Sequence, residues 1–443
     1  MPDQHRNLLK LGRNFLSFVA GGALGWGSCY FYLNKFGPHK SGGYLIGNFE
    51  VSNQLLPKKC VSQAQGNKYD AVFQRCRELV KKFQHETGAP GVVVGVSVDG
   101  NVIWEEGFGY SDLEQGAHCH ADTAMRIASI SKPITMALLA KMWEDGKVDI
   151  DKPIHSYVSN FPIKKVDDEV VTITARQLAS HTAGIRHYTK KGESQDKDSV
   201  SKEFYIKDKY ESVENSLELF KNDDLLFKPG TSFVYTTHGY TLLSAVMEGA
   251  EKKSFKDMIQ DLFKLFGMQN TYLDDVNTII YNRSSYYSKN KKGRLINAEL
   301  ADTSYKWAGG GIVSTVGDLL KFGNAMLYCY QQTASDKSGY LKQKTVQEMW
   351  TPVEHSTMGW EKGAGYGLGW VVVPHRNDIG GLDTQNFYIG HGGGAVGASS
   401  ILMIVPRPSS ERAIPSGISV AVLTNLQDVS CHKLAKKIAQ EFS

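Results

Sequence analysis

The sequence predicts an α/β fold of the α+β kind: one antiparallel sheet built by strands from both chain ends, flanked by helices, with a helical lobe inserted. Three observations carry this. Residues 91–110, GVVVGVSVDGNVIWEEGFGY, are two β-rich runs joined at Asp99-Gly100, a pair suited to a tight hairpin. Near the other end, NFYIGH, AVGASSILMIVP and GISVAVLTN are again rich in β-branched and apolar residues. Between these ends, residues 120–325 carry mostly helical periodicity.

A chain of 443 residues with 41% apolar residues can bury a large core, and a net charge of +4, evenly spread, excludes a nucleic-acid-binding footprint. Residues 14–34 carry no charge and are long enough to span a bilayer. Arg6, Lys10 and Arg13 precede them with only Asp3 opposing, so 1–35 reads as an import or transmembrane segment, with organelle import favoured over secretion. A secretory route would make Asn282-Arg283-Ser284 a usable glycosylation site. Gly21 and Gly25 have a spacing that lets two such helices pack. Residues 36–68 are polar and Gly/Pro-punctuated, a linker; the folded part runs from 69 to 443.

The folded part opens with a helix over 70–87 (Val72, Cys76, Leu79, Val80, Phe83) stopped by Gly88 and Pro90, and closes with one from about Val429. Residues 189–216 are densely and alternately charged, which predicts a solvated excursion. Six scattered cysteines form neither a disulfide framework nor a zinc knuckle, so free thiols are expected. Ala117-His118-Cys119-His120 places two histidines on one strand face, but no second ligand cluster accompanies it; no metal and no cofactor are called for.

Ser-x-x-Lys occurs five times, at Ser129/Lys132, Ser194/Lys197, Ser199/Lys202, Ser288/Lys291 and Ser430/Lys433. On a helix this spacing puts amine and hydroxyl on one face. A lysine becomes a working base only when burial lowers its pKa, so burial discriminates among the five. Ser194, Ser199 and Ser288 lie in charged stretches, and Ser430 heads a helix apolar on one stripe only. Ser129 alone opens a run, KPITMALLAKMW, that is apolar nearly all round, with Gly146 as its stop. A serine at a helix N-terminus also has its own N–H and the helix dipole for a developing oxyanion. The plainer reading, Ser129 as a helix cap and Lys132 as a snorkelling side chain, stays open on this motif alone.

RIASISKPIT, ITARQLASHTAGI, FKPGTSFVYTTHGYTLL, AGGGIVSTVGDLLKF, YGLGW and HGGGAVGASS occur in the order seen in serine β-lactamase-like and penicillin-binding-like hydrolases. The resemblance covers roughly residues 70–443 and implies a β-lactamase/transpeptidase-like fold. It is strongest to the mitochondrial members of that family, which implies an intermembrane-space serine protease or peptidase, able to assemble into filaments and linked to lipid metabolism. By the same resemblance Ser129 matches the nucleophile, Lys132 the general base, and Tyr235 the proton-relaying tyrosine of the second motif. Standing alone, Tyr235 would read as a core aromatic. His391-Gly392-Gly393 matches the third motif on an edge strand, whose glycines let substrate lie close; the Gly394 N–H joins that of Ser129 as the oxyanion hole.

Two positions depart from the family pattern: Thr237 stands where asparagine is common, and His391 where lysine is common. A titratable imidazole in place of a permanent cation weakens recognition of a β-lactam carboxylate and predicts activity that varies across pH ~5–8 through His391. Gly392-x-Gly394-x-x-Gly397 formally matches a dinucleotide fingerprint but runs into a strand. HGGG resembles a lipase oxyanion motif, yet no G-x-S-x-G elbow is present. His181 reads as a structural histidine at a helix-ending turn, and AGGGIVSTVGDLL as a tight turn into a helix capped by Ser314 or Thr315, a scaffolding element. The expected partners are a peptide or protein substrate, further copies of the chain, and an N-terminal membrane or import contact. The competing expectation is a filament scaffold that retains the pocket.

Overall fold

The computed structural model describes residues 63–188, 202–333, 338–379, 383–408 and 414–443, all within one compact unit, Leu56–Ser443. The expected import segment and the linker up to residue 62 lie outside the described residues. Among the described residues no helix is long and apolar enough to cross a membrane.

Helix α1 (Gln63–Thr87) begins upstream of the expected start at residue 70, and Gly88, left-handed at φ 67°, ends it. Strands β1 (Gly91–Val98) and β2 (Asn101–Asp112) form the expected hairpin. Asp99 (φ 49°) and Gly100 (φ 77°) are both left-handed, as a two-residue hairpin turn with right-twisted arms requires. A short strand, β3 (Ala117–His118), pairs with the far end of β2.

The chain then enters the lobe. Helix α2 (Ser131–Glu144) buries residues on every side, among them Ile134, Met136, Leu139 and Ala140, which is why its sequence lacks a polar face. Gly146, left-handed at φ 70°, follows it as expected. Thr174 and Gln177 make a reciprocal capping box at the start of α3 (Ala175–Ala179). Next come α4 (His238–Glu251) and α5 (Trp307–Gly310), then a strand, Ile312–Ser314, and α6 (Val316–Gln331). The block AGGGIVSTVGDLL is therefore helix, strand and helix, not one tight turn. Thr315 is the cap, accepting from the Asp318 N–H.

The return half supplies β4 (Gly365–Tyr366), β5 (Val371–Val373), β6 (Tyr388–Ala395), β7 (Ala398–Pro406), β8 (Gly417–Thr424) and α7 (His432–Glu441). The sheet order is β4-β5-β6-β7-β8-β1-β2-β3. The two chain ends close it where β1 lies antiparallel to β8, Val92 opposite Thr424 through Val98 opposite Ile418.

Helices cover both faces, so every residue of β1 is buried and the strand reads as continuous apolar sequence instead of alternation. Val92, Val94 and Val96 pack with Val80, Leu434 and Ile438 of α1 and α7. Val93, Leu402 and Leu423 face the core that holds α2 and α6. A Cβ added at Gly95 would lie 2.9 Å from Val316 Cβ, so a glycine lets α6 settle onto this second face.

One detail of β6 sets up the site. The sequence reading placed this strand at the sheet edge. Instead, β5 pairs with it over Tyr388–Gly390, while β7 pairs with it over Ile389–Ala395. Because the pairing with β5 ends at Gly390, opposite Val371, β6 is interior before that point and open on that side from His391 onward.

Candidate active site

Ser129 is the middle residue of a 3₁₀ turn, Ala128–Ile130, that runs straight into α2. Ala128 is left-handed at φ 48°, an uncommon conformation for a residue with a Cβ. Its neighbours impose it: the Ile127 N–H donates to the Ile312 carbonyl at 2.9 Å, and Ser400 Oγ donates to the Ile127 carbonyl at 2.8 Å. The cap position of α2 belongs to Ile130, which makes no side-chain cap bond. Ser129 is thus not a helix cap, and its Oγ lies 3.0 Å from Lys132 Nζ.

Lys132 is fully buried. Its Nζ lies 2.6 Å from the Gly309 carbonyl and 3.4 Å from Thr237 Oγ1, and 4.6 Å from the ring centre of Tyr235. Burial first, and then the nearby Lys306 charge, hold the amine well below its ordinary range, with no carboxylate to counter them. A carbonyl only accepts, so one N–H is committed to Gly309. The lone pair of the neutral amine is then free to receive the Ser129 proton.

The Tyr235 hydroxyl hydrogen-bonds Ser129, and burial drives its phenol pKa far upward, so it stays protonated at neutral pH. Two imidazoles fix its segment. The Thr236 N–H donates to His181 Nδ1 and the Thr237 N–H to His187 Nδ1, each at 3.2 Å. His181, left-handed at φ 62° just past α3, is the structural histidine the sequence predicts. Burial holds both rings well below the ordinary imidazole range, and a proton on Lys132 would lower them further, so both stay neutral.

His391 is buried on β6, its Nδ1 2.6 Å from the Gly392 carbonyl and its Nε2 2.9 Å from the Tyr366 hydroxyl. The carbonyl accepts, so Nδ1 carries the proton and Nε2 accepts from Tyr366. Burial, reinforced by Lys132, depresses its pKa to about 3. The expected titration of His391 near neutrality is therefore corrected: the ring is uncharged across that range.

The glycines of β6 divide the work differently from the sequence reading. A Cβ at Gly393 would lie 2.3 Å from the Ile127 carbonyl and 2.2 Å from Ser400 Oγ, so this glycine makes room for the Ser129 turn and not for substrate. A Cβ at Gly394 would meet nothing within 4 Å, and Gly394 lines a cavity of about 370 Å³ together with Ser129, Tyr235, Thr237 and His391.

The same cavity exposes what sequence reasoning missed. Gly309, assigned to scaffolding, orients the base through its carbonyl. His187, Lys306 and Trp360 also line the cavity. A lysine between Tyr305 and Trp307, two residues before the quoted AGGG, was the available signal for Lys306. Part of the stretch read as a solvated excursion folds back: Phe204 lines the cavity, and Glu203 pairs with Arg186 at 2.9 Å and His238 at 2.8 Å. Residues 189–201 lie outside the described residues, and with them Ser194 and Ser199. Ser288 sits on a strand, Tyr287–Lys289. Ser430 is exposed, and the cap of α7 is Cys431.

The Beta-lactamase family model matches residues 76–440. The human "Serine beta-lactamase-like protein LACTB, mitochondrial" is 42% identical over 434 residues, covering 84% of this chain and 79% of that protein. Among solved structures, the octameric penicillin-binding protein homologue from Pyrococcus abyssi superposes with a TM-score of 0.64 at 24% identity, covering 83% of this chain and 75% of that one. A class C beta-lactamase gives 0.64 at 18% identity over 85% of this chain and 98% of its own. With the family model spanning nearly all of the sheet and lobe, this chain belongs to the Beta-lactamase family of serine hydrolases.

Proposed function

We propose that this protein is a mitochondrial serine peptidase or esterase that works through an acyl-enzyme on Ser129. The observation that carries the reading is a buried Lys132 amine, without a carboxylate partner among the described residues, 3.0 Å from the Ser129 hydroxyl. As Ser129 Oγ attacks an amide or ester carbonyl, its proton passes to the Lys132 lone pair. The N–H groups of Ser129 and Gly394 receive the oxyanion. Tyr235, protonated and bonded to Ser129, hands a proton to the leaving amine or alcohol and is recharged from Lys132. Water then releases the acyl group by the reverse proton path.

His391 is neutral, so β6 offers no cation to a β-lactam carboxylate, which favours peptides or esters over β-lactams. The mitochondrial location is supported by the names of the curated relatives. The intermembrane space, filament assembly and a link to lipid metabolism enter from the family resemblance alone. A fluorophosphonate probe tests the reading: it labels the wild type and fails on Ser129→Ala. Equal labelling of both proteins refutes Ser129 as nucleophile. No labelling of either, with filaments still forming, supports a scaffold.

A further inference from the structure

The geometry points to Lys306 as a positioning residue of this site: a second, unpaired ammonium that acts through Lys132 and keeps the catalytic amine in its unprotonated form. The inference rests on the acyl-enzyme reading above. Third-motif lysine is absent here, and the imidazole in its place carries no charge. A lysine of this cavity comes instead from a different part of the chain.

Lys306 is 4% exposed, lines the Ser129 cavity, and immediately precedes α5. Gly309 of that same helical turn holds Lys132 Nζ at 2.6 Å. A Cβ built at Gly310 would lie 4.0 Å from both Lys306 Cδ and the Ala128 carbonyl carbon, so the Lys306 stem and the Ser129 turn both border this glycine. Among the described residues Lys306 Nζ has neither a hydrogen-bond partner nor an ion pair. Three rings box it instead, Tyr305 at 4.8 Å, Phe204 at 5.0 Å and Tyr188 at 5.2 Å. Aromatic faces stabilise the charged amine without neutralising it, so its field reaches its neighbours undiminished.

Those neighbours come from every packed element. Arg126, Asp274 and Asp302 act on Lys306, the first against its charge and the two carboxylates for it. Asp274 is already committed to Arg126 at 2.7 Å. In turn Lys306 acts on Lys132, His187 and His238. Tyr188 and Tyr305 are protonated, their phenols raised by burial. Burial lowers Lys306 itself to about 7, so below that pH it carries the charge that opposes a proton on Lys132.

Lysine Cε-labelled NMR of the whole protein reads this directly, with Lys306→Met and Lys306→Arg as variants; methionine fits an aromatic box without a charge. The wild type should show two steps. In the Met variant Lys132 should titrate in one step, ~1 pH unit above the wild type's lower step, while Arg should leave it at or below that step. The acid limb of kcat/KM on an uncharged ester should move with it. An unmoved Lys132 midpoint in the Met variant overturns the inference. Since the NMR midpoint is read without turnover, a moved midpoint in a protein that never acylates Ser129 sinks the hydrolase reading and leaves the electrostatic coupling standing.

Discussion

At the scale of single residues, the site depends on one amine being kept neutral, and neutrality has a cost in stability. Lys132 has a folded pKa below its unfolded value of about 10.5, so between the two the unfolded chain binds the extra proton. Stability contributed by this residue therefore rises with pH across that window and is lowest below it. Lys132→Met should abolish activity while raising stability at neutral pH by ~1–2 kcal/mol, since it replaces a buried amine that no carboxylate offsets with an apolar chain. Thermal unfolding at several pH values checks this; the gain should shrink as pH approaches ~10. A destabilised Met variant would mean the amine is charged and held by partners. His391 behaves in the opposite manner to what its residue type suggests. Its imidazole resonances should stay constant from pH ~5 to 8, because protonation would have to displace both the Tyr366 hydroxyl bond and the surrounding low-dielectric packing. Sequence alone names a histidine but not its burial, which is why its titration was misjudged.

At the scale of elements, the Ser129 turn is held by close approach between strand and helix. Gly393 and Gly394 are adjacent on β6 yet answer to different constraints. Gly393→Ala would drive a methyl into the Ile127 carbonyl and Ser400, so the turn and strand must separate. A loss of ~2–4 kcal/mol in denaturant unfolding is expected, with activity falling as the turn moves. Gly394→Ala meets open space and should unfold like the wild type, any loss appearing only in turnover. Equal stability of the two variants would contradict the docking described here. These elements were partly legible. The hairpin at Asp99-Gly100 and the all-round apolar α2 follow from residue chemistry that acts locally, a left-handed turn and a fully buried helix. The pairing of β5 with the first three residues of β6 is not local, and three valines well before NFYIGH gave no register.

At the scale of the whole molecule, closure of the sheet by β1 and β8 brings sequence-distant pieces around one cavity: the 128–130 turn, Tyr235 before α4, Gly309 on α5, and His391 on β6. The motif residues Ser129, Lys132 and Tyr235 were legible because a nucleophile, a buried base and a relay must be particular residue types. Gly309 and Lys306 were not, because one acts through its backbone and the other through a field, and neither requirement leaves a spacing pattern. Nor did the charge pattern of 189–216 show that Glu203 and Phe204 fold back onto the cavity, since an exposed and a buried Glu look alike in sequence.

The central claim is that Lys132 is a free base at neutral pH and takes the Ser129 proton. The most direct measurement is the single-turnover rate of Ser129 acylation by an uncharged aryl ester, followed from pH ~5 to 11 in the wild type. The account predicts a rate that climbs to a plateau with its inflection well below the ordinary lysine value of about 10.5. An inflection at that ordinary value would mean a charged, hydrated amine, and would contradict the account.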